Sequence, residues 1–245
     1  KPQTTRNIIN GVYTDNDSQI VFIDTPGIHK PKHRLGDYMM KLASSAIQES
    51  EIVYLIINAG EKFGPGDQHL INIVKELNVP TFLLINKIDL TTPEKLIEII
   101  AFYKDLYNFV EIVPISALKS INVDNLLTVT KKYLQLSYKM YPDDVITDSP
   151  EYFVISEFIR EKVLQLTNQE IPHSIAVIID KIEKQDGKKK NIIATIVVER
   201  KSQKGMIIGK QGKMIREIGT RARKDIEVLL GEKVFLELWV KVIDN

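Results

Sequence analysis

Short apolar runs alternate with amphipathic stretches through the first half of the chain. Ile20-Val21-Phe22-Ile23, Ile52 to Asn58, Thr81 to Asn86 and Val110 to Ile115 are apolar at both odd and even positions. That pattern predicts strands covered on both faces, as in a parallel sheet. Between them, Asp67 to Leu77 places Leu70, Ile71, Val74 and Leu77 at helical spacing. Pro93 to Tyr107 follows a Thr92 cap, has proline at the first helical position and sets Leu96, Ile99, Ile100 and Tyr103 on one face. Val123 to Leu136 predicts another helix. Strand–helix alternation implies right-handed crossovers between parallel strands. Asp15-Asn16-Asp17-Ser18 is a turn sequence between Asn7–Tyr13 and Gln19–Asp24, so those two segments are expected as an antiparallel hairpin at one edge of the sheet.

The rhythm changes after residue 140. Tyr141 to Pro150, with two prolines and several small or ionised residues, reads as a linker. Glu151 to Thr167 is an amphipathic helix. Strands are predicted over Ser174–Lys184 and Asn191–Arg200, with the charged loop 185–190 between them. A short helical turn ending at Ile208, a glycine-bounded loop, a long helix Lys213–Leu230 and a strand Lys233–Val242 complete an α-β-β-α-α-β order. The expected division is 1–140, a linker over 141–150, and 151–245.

Composition sharpens this. The 245 residues are 44% hydrophobic and 27% charged, which excludes a mostly disordered chain. The absence of cysteine excludes disulfides, thiolate metal sites and a cysteine nucleophile. No apolar run approaches the roughly 18 residues that span a bilayer. Net charge is +1, but Arg200 to Lys224 holds nine basic residues and one acid, Glu217. Such an excess favours a polyanion.

Three polar corners end predicted strands. In Asp24-Thr25-Pro26-Gly27, the aspartate sits where ligands bind a parallel sheet and can hold Mg²⁺. Gly27 lets its backbone N–H approach a terminal phosphate. In Asn86-Lys87-Ile88-Asp89, the Asp89 carboxylate can accept two parallel N–H bonds, which guanine offers and adenine does not. Asn86 would tie neighbouring loops, and the Lys87 stem would cover the ring. In Ser116-Ala117-Leu118, small residues permit close backbone contact with the base oxygen. His29 and His33 read as solvated, and His69 and His173 have no partner at metal-ligand spacing.

The second half has its own motif. Ile207-Ile208-Gly209-Lys210-Gln211-Gly212-Lys213 is a G-x-x-G loop between helical segments. Its glycines admit a nucleic-acid backbone, while helix N–H groups and Lys210 face phosphates. Lys201, Lys204, Lys213 and Arg216 are expected at phosphates. Ile208 is expected beside the bases with Gln211 in the loop. Of Ile207, Ile208 and Ile215, at least two are expected in the core, and Trp239 is expected to pack in the sheet.

These motifs resemble a known family. Asp24 to Gly27, Asn86 to Asp89 and Ser116 to Leu118 resemble the third, fourth and fifth signatures of translation-factor-type GTPases. Pro2-Gln3-Thr4-Thr5-Arg6 resembles the switch I signature of the Era GTPases, and the second half resembles a type II KH domain. The resemblance implies an α/β P-loop-type GTPase domain, a mostly parallel sheet with helices on both faces, followed by an α+β KH domain. It implies GTP or GDP with Mg²⁺ as ligands. Asp24, Thr25, Pro26, Gly27, Ile28, Asn86, Lys87, Ile88, Asp89, Ser116, Ala117 and Leu118 would bind nucleotide, and Thr5 with Asp24 would hold the metal. Ile208, Gly209, Lys210, Gln211, Gly212, Lys213, Arg216 and Lys204 would bind RNA. It further implies a monomeric ribosome-assembly GTPase of the cytoplasm that recognises 16S rRNA near its 3′ end on the 30S subunit. Peripheral association with the inner face of the membrane is implied as well.

Two departures qualify it. No G-x-x-x-x-G-K-[ST] occurs in the sequence, so the phosphate cradle is expected before Lys1 as a strand–loop–helix of about 30 residues. Ile28 stands where the Ras-like pattern has a water-orienting glutamine, which leaves the catalytic group unassigned beyond the Gly27 backbone. The alternative reading is a non-enzymatic RNA-binding protein with a degenerate nucleotide domain. A third is a scaffold whose basic face binds anionic lipid.

Overall fold

The structure, a computed structural model, describes residues 8–25, 45–77, 79–167, 175–184, 187 and 189–243. The chain divides into two compact units between Ile146 and Thr147.

In the first unit, strands β1 (Ile9–Thr14) and β2 (Gln19–Asp24) pair antiparallel, with Thr14 opposite Gln19 and Ile9 opposite Asp24. Asp15 makes the turn. Its Oδ1 accepts from the N–H groups of Asp17 (3.1 Å) and Ser18 (2.9 Å) and from the Ser18 hydroxyl, replacing backbone partners that a four-residue loop cannot supply. A second sheet contains β3 (Val53–Asn58), β4 (Thr81–Asn86) and β5 (Glu111–Pro114), all parallel in that order. Helices α1 (Pro65–Leu77) and α2 (Pro93–Leu106) are the crossovers, and α3 (Val123–Lys131) follows β5.

Strand β4 lies between two partners and is apolar on both faces. Leu83 and Ile85 enter a core with Leu55, Ile57, Ile71 and Tyr103. Phe82 and Leu84 enter another with Val113, Ile115 and Leu126. The two-residue period of a strand assigns alternate side chains to the two layers. Helix α2 begins as its residues predict, with Thr92 Oγ1 facing the Lys95 N–H at 3.5 Å and Pro93 at the first position.

Three expectations are corrected here. Among the described residues the β1–β2 hairpin is a two-stranded sheet of its own rather than the edge of the parallel sheet. Side chains join it to its surroundings: the Phe22 ring lies 6.1 Å from that of Tyr54, and Asp15 forms an ion pair with Lys131 of α3. Helix α3 stops at Lys131 instead of Leu136. Beyond it Tyr133 turns back, its ring 5.1 Å from Phe82 and its hydroxyl donating to Glu111 at 3.0 Å. The first part of the segment 141–150, read from composition as linker, is fastened to the hairpin together with the preceding Met140. Gln19 bonds to the backbone of Met140 and Tyr141, and the Val12 N–H donates to the Ile146 carbonyl at 2.8 Å.

The second unit follows the predicted element order. Helix α4 (Glu151–Leu166) precedes β6 (Ala176–Glu183) and β7 (Lys190–Val198). Helices α5 (Lys201–Ile208) and α6 (Lys213–Leu230) and strand β8 (Val234–Val242) complete it. The sheet order is β6-β7-β8, antiparallel between the first two and parallel between the last two. Alternate β7 residues Ile192, Ala194, Ile196 and Val198 face the core. There they meet Ile155, Ile159 and Val163 of α4, Ile207 of α5, and Ile218, Ala222 and Ile226 of α6. Trp239 does not pack into that core. It lies on β8 opposite Thr195, at odd parity with the core residues, and is 59% exposed.

Candidate functional site

The corners after β4 and β5 are built as one object. Asn58 ends β3 opposite Asn86 at the end of β4, and the Asn86 carbonyl accepts from the Ala59 N–H at 2.9 Å. The Asn86 side chain turns the other way. Its Oδ1 accepts from its neighbour Lys87 N–H at 2.8 Å and from the Ala117 N–H, 31 residues on, at 3.1 Å. One carboxamide oxygen therefore joins the two loops that the sequence paired, using both its lone pairs. Lys87 adopts a left-handed conformation (φ 64°), and a short 3-10 turn, Ile88–Leu90, presents Asp89. The Ile88 N–H donates to the Ile115 carbonyl at 3.2 Å, a second tie between the corners.

The loop after β5 is closed on itself. Ser116 and Ile121 exchange backbone bonds of 3.1 and 3.0 Å, and the Asn122 side chain donates to the Pro114 carbonyl at 2.7 Å. Ser120 and Asn122 both take positive φ to make this closure. Leu118 is left 92% exposed at the loop tip.

Asp89 is the chemical focus. Its side chain is 10% exposed, and Lys119 Nζ lies 3.4 Å from Oδ2. The nearby Ser116 hydroxyl, and after it Lys119, hold the carboxyl below the usual carboxylate range against the opposing effect of burial. Ser116 Oγ is itself buried and makes no hydrogen bond of ordinary geometry among the described residues. An ionised carboxylate beside a buried hydroxyl fits a purine edge that carries two donors next to one acceptor. Guanine has that edge. Lys119 carries no motif position, and its only signal in the sequence is a positive charge directly after Ser116-Ala117-Leu118.

Asp24 ends β2 with an exposed side chain, and Thr25 follows it half-buried. Thr5, Pro26, Gly27, Ile28, His29, His33 and His173 lie outside the described residues. Among the described residues, no group of three His, Asp or Glu side chains is placed to hold a metal ion.

The second site is the loop between α5 and α6. Gly209 has φ 69° and ψ 175°, a region open only to glycine, and a Cβ there would lie 2.6 Å from Met214 Cβ. Gln211 (φ 52°) and Gly212 (φ 72°) are left-handed and complete the reversal into α6. Lys210, Gln211, Lys213 and Arg216 are exposed and Lys204 is half-buried. None of the four cations Lys204, Lys210, Lys213 and Arg216 forms an ion pair among the described residues. Arg221 and Arg223 are paired instead, with Glu217 (2.7 Å) and Glu227 (4.0 Å) one turn away. Free cations thus gather at the loop, and farther along α6 arginines are paired in sequence order. Ile207 is fully buried, while Ile208 and Ile215 are half-buried beside the loop, so one of the three is core rather than two. Sequence reasoning missed Gln203. Its buried carboxamide oxygen accepts from the N–H groups of Glu199 (3.1 Å) and Arg200 (2.9 Å), fixing the start of α5. Its spacing from Arg200 suits a cap, but the usual Ser or Thr partner is missing.

Comparison with known proteins follows the same division. A family model described as a 50S ribosome-binding GTPase matches residues 1–87, and one described as a KH domain matches residues 170–245. The structure of a point variant of Aquifex aeolicus Era bound to GDP and aluminium fluoride is 40% identical, with a TM-score of 0.90. The similarity covers 99% of this chain and 83% of that one. A structure of Era with MgGDPNP and nucleotides 1506–1542 of 16S ribosomal RNA is 41% identical with the same coverage and a TM-score of 0.89. With two fifths of its residues shared across nearly its whole length, this chain belongs to the Era family of GTPases.

Proposed function

We propose that the protein binds and hydrolyses GTP with Mg²⁺, binds RNA through its second unit, and acts in assembly of the small ribosomal subunit by holding 16S rRNA near its 3′ end. One observation carries the nucleotide half: the Asn86 oxygen that binds both Lys87 and Ala117 N–H groups, setting Asp89 and Ser116 around one space. Related proteins crystallised with guanine nucleotides, and one of them with that RNA, support the same reading.

In this reading Asp89 accepts from the guanine ring N–H and amine. Ser116 and Ala117 approach the base oxygen, and Lys87 and Leu118 flank the ring. Mg²⁺, when bound, neutralises phosphate charge, and Asp24 with Thr5 would hold it. The Gly27 backbone N–H would serve the terminal phosphate, with Thr25, Pro26 and Ile28 as further nucleotide-binding residues. The four unpaired cations and the Gly209–Gly212 loop clamp single-stranded RNA, with Ile208 under the bases. The protein works as a monomer in the cytoplasm and meets the membrane only peripherally. No helix of the described residues is long and apolar enough to cross one.

The test is base preference. In the full natural protein, Asp89→Asn replaces one acceptor with a donor that faces the guanine amine. GTP affinity should fall roughly a hundredfold and xanthine nucleotide should gain. An unchanged preference removes Asp89 from the pocket, and with it the nucleotide half of the proposal.

A further inference from the structure

We propose that Lys119 is a positioning residue for base recognition: its ammonium holds the Asp89 carboxylate in place and offsets its charge while guanine is bound. The inference rests on the reading of Asp89 as the group that accepts from the guanine edge.

Lys119 stands in a loop with little freedom. The Ser120 N–H donates to the Ala117 carbonyl at 3.3 Å, so Leu118 and Lys119 are the two central residues of a tight turn. Ser120 takes a left-handed conformation (φ 53°), and the backbone bonds between Ser116 and Ile121 close the loop at its base. The two tip residues part company. Leu118 is 92% exposed, whereas Lys119 Nζ lies 3.4 Å from Asp89 Oδ2. The Lys119 side chain is 58% exposed and that of Asp89 only 10%, so the ammonium sits at the wet end of a carboxylate that is otherwise shut off from water. Among the described residues, Lys119 is the only cation paired with Asp89.

An ionised carboxylate has about four acceptor sites. The ring N–H and the amine of guanine take two, which leaves room for the ammonium, so Lys119 and the base do not compete. Hydrogen bonds to a charged acceptor are about twice as strong as those between neutral groups. A base laid over Asp89 also removes the water that still reaches it, and a carboxylate without water is costly unless an opposite charge stands close by. Ser116 offers a hydroxyl and no charge. Lys119 supplies the charge from the other loop. The two loops are kept in register by the Asn86 oxygen and by the bond from the Ile88 N–H to the Ile115 carbonyl. The ammonium is therefore carried on the same joint that sets the carboxylate.

The experiment measures affinity for GDP and for xanthosine diphosphate in the full natural protein, in the wild-type and the Asp89→Asn backgrounds. Lys119→Met keeps the stem of the side chain and removes its charge. In the wild-type background it should weaken GDP binding roughly fivefold. In the Asp89→Asn background there is no carboxylate to neutralise, so the same substitution should leave affinity for xanthosine diphosphate nearly unchanged. Lys119→Arg keeps the charge and should recover most of the loss. Lys119→Gln repeats the comparison should the methionine variant not fold. An equal loss in both backgrounds would make Lys119 a residue that merely shapes its loop, and it overturns the proposal. Unchanged GDP affinity in Lys119→Met overturns it too, as does a loss that arginine fails to recover. Failure of Asp89→Asn to gain xanthosine diphosphate overturns the reading of Asp89 itself, and the proposal with it. That variant alone, with Lys119 intact, reveals which of the two has failed.

Discussion

The two glycines of the G-x-x-G loop look alike in the sequence and differ sharply in the structure. A Cβ on Gly212 would meet nothing nearer than Ile215 Cγ2 at 4.0 Å, and its φ of 72° with ψ of 15° lies in the left-handed helical region. Gly212→Ala should therefore cost only the left-handed penalty, about 1 kcal/mol. A Cβ on Gly209 would stand 2.6 Å from Met214 Cβ and 3.0 Å from the Met214 backbone nitrogen. Neither atom is the end of a flexible side chain, so α6 itself would have to shift. Gly209→Ala carries a glycine-only conformation and an overpacked contact together, about 3 kcal/mol. For a unit of this size that corresponds to roughly 15 °C in melting temperature, against roughly 5 °C for Gly212→Ala. The assay pairs thermal melting with titration by a short single-stranded RNA at fixed salt. If the loop of Gly209→Ala escapes the clash by rearranging, the loss appears as RNA affinity instead of melting temperature. Wild-type behaviour in both measurements, or greater harm from Gly212→Ala, would refute the reasoning. It follows that replacing both glycines by aspartate is not neutral to the fold, and that Gly212→Asp is the cleaner probe of RNA binding.

Two further outcomes can be checked directly. If Lys204, Lys210, Lys213 and Arg216 each meet a phosphate, log K for RNA should fall against log salt with a slope near −3, and each alanine substitution should relieve about 0.7 of it. Arg221→Ala should leave the slope nearly unchanged, because Glu217 already neutralises that charge; an equal effect from Arg221 and Lys213 would contradict the assignment. Lys131 holds the Asp15 carboxyl well below the usual carboxylate range in the folded chain. A depressed folded pKa gives stability that is present above the unfolded value, about pH 4, and lost as pH falls below it. The stability gap between wild type and Asp15→Asn in urea should therefore narrow on acidification, and a gap that stays constant would sink the argument.

The elements were legible wherever local pattern and tertiary demand agree. Strand β4 reads as a doubly covered strand because Phe82, Leu83, Leu84 and Ile85 have no polar face to spare. Helix α2 reads as a helix because Thr92 and Pro93 mark its start. The joint between Asn86 and Ala117 was also readable, since a short carboxamide after a buried strand has few other uses. What escaped the sequence was set by partners distant along the chain. Residues 140–146 have linker composition, yet Gln19 and Val12 fasten them, and no local signal announces a bond spanning 122 residues. The unpaired status of Lys213 against the paired status of Arg221 depends on which cation finds an acid one turn away. Met214, the residue that makes Gly209 irreplaceable, carries no motif position. Trp239 read as packed because aromatic residues favour strands, but its parity along β8 sends it to the outer face.

Strand β4 has one more consequence. It is bolted into two apolar layers at once and ends on Asn86, whose side chain joins two loops. The proposed base pocket therefore stands on the most deeply packed strand of the parallel sheet. Loosening that leaves β4 in place should leave any base preference intact.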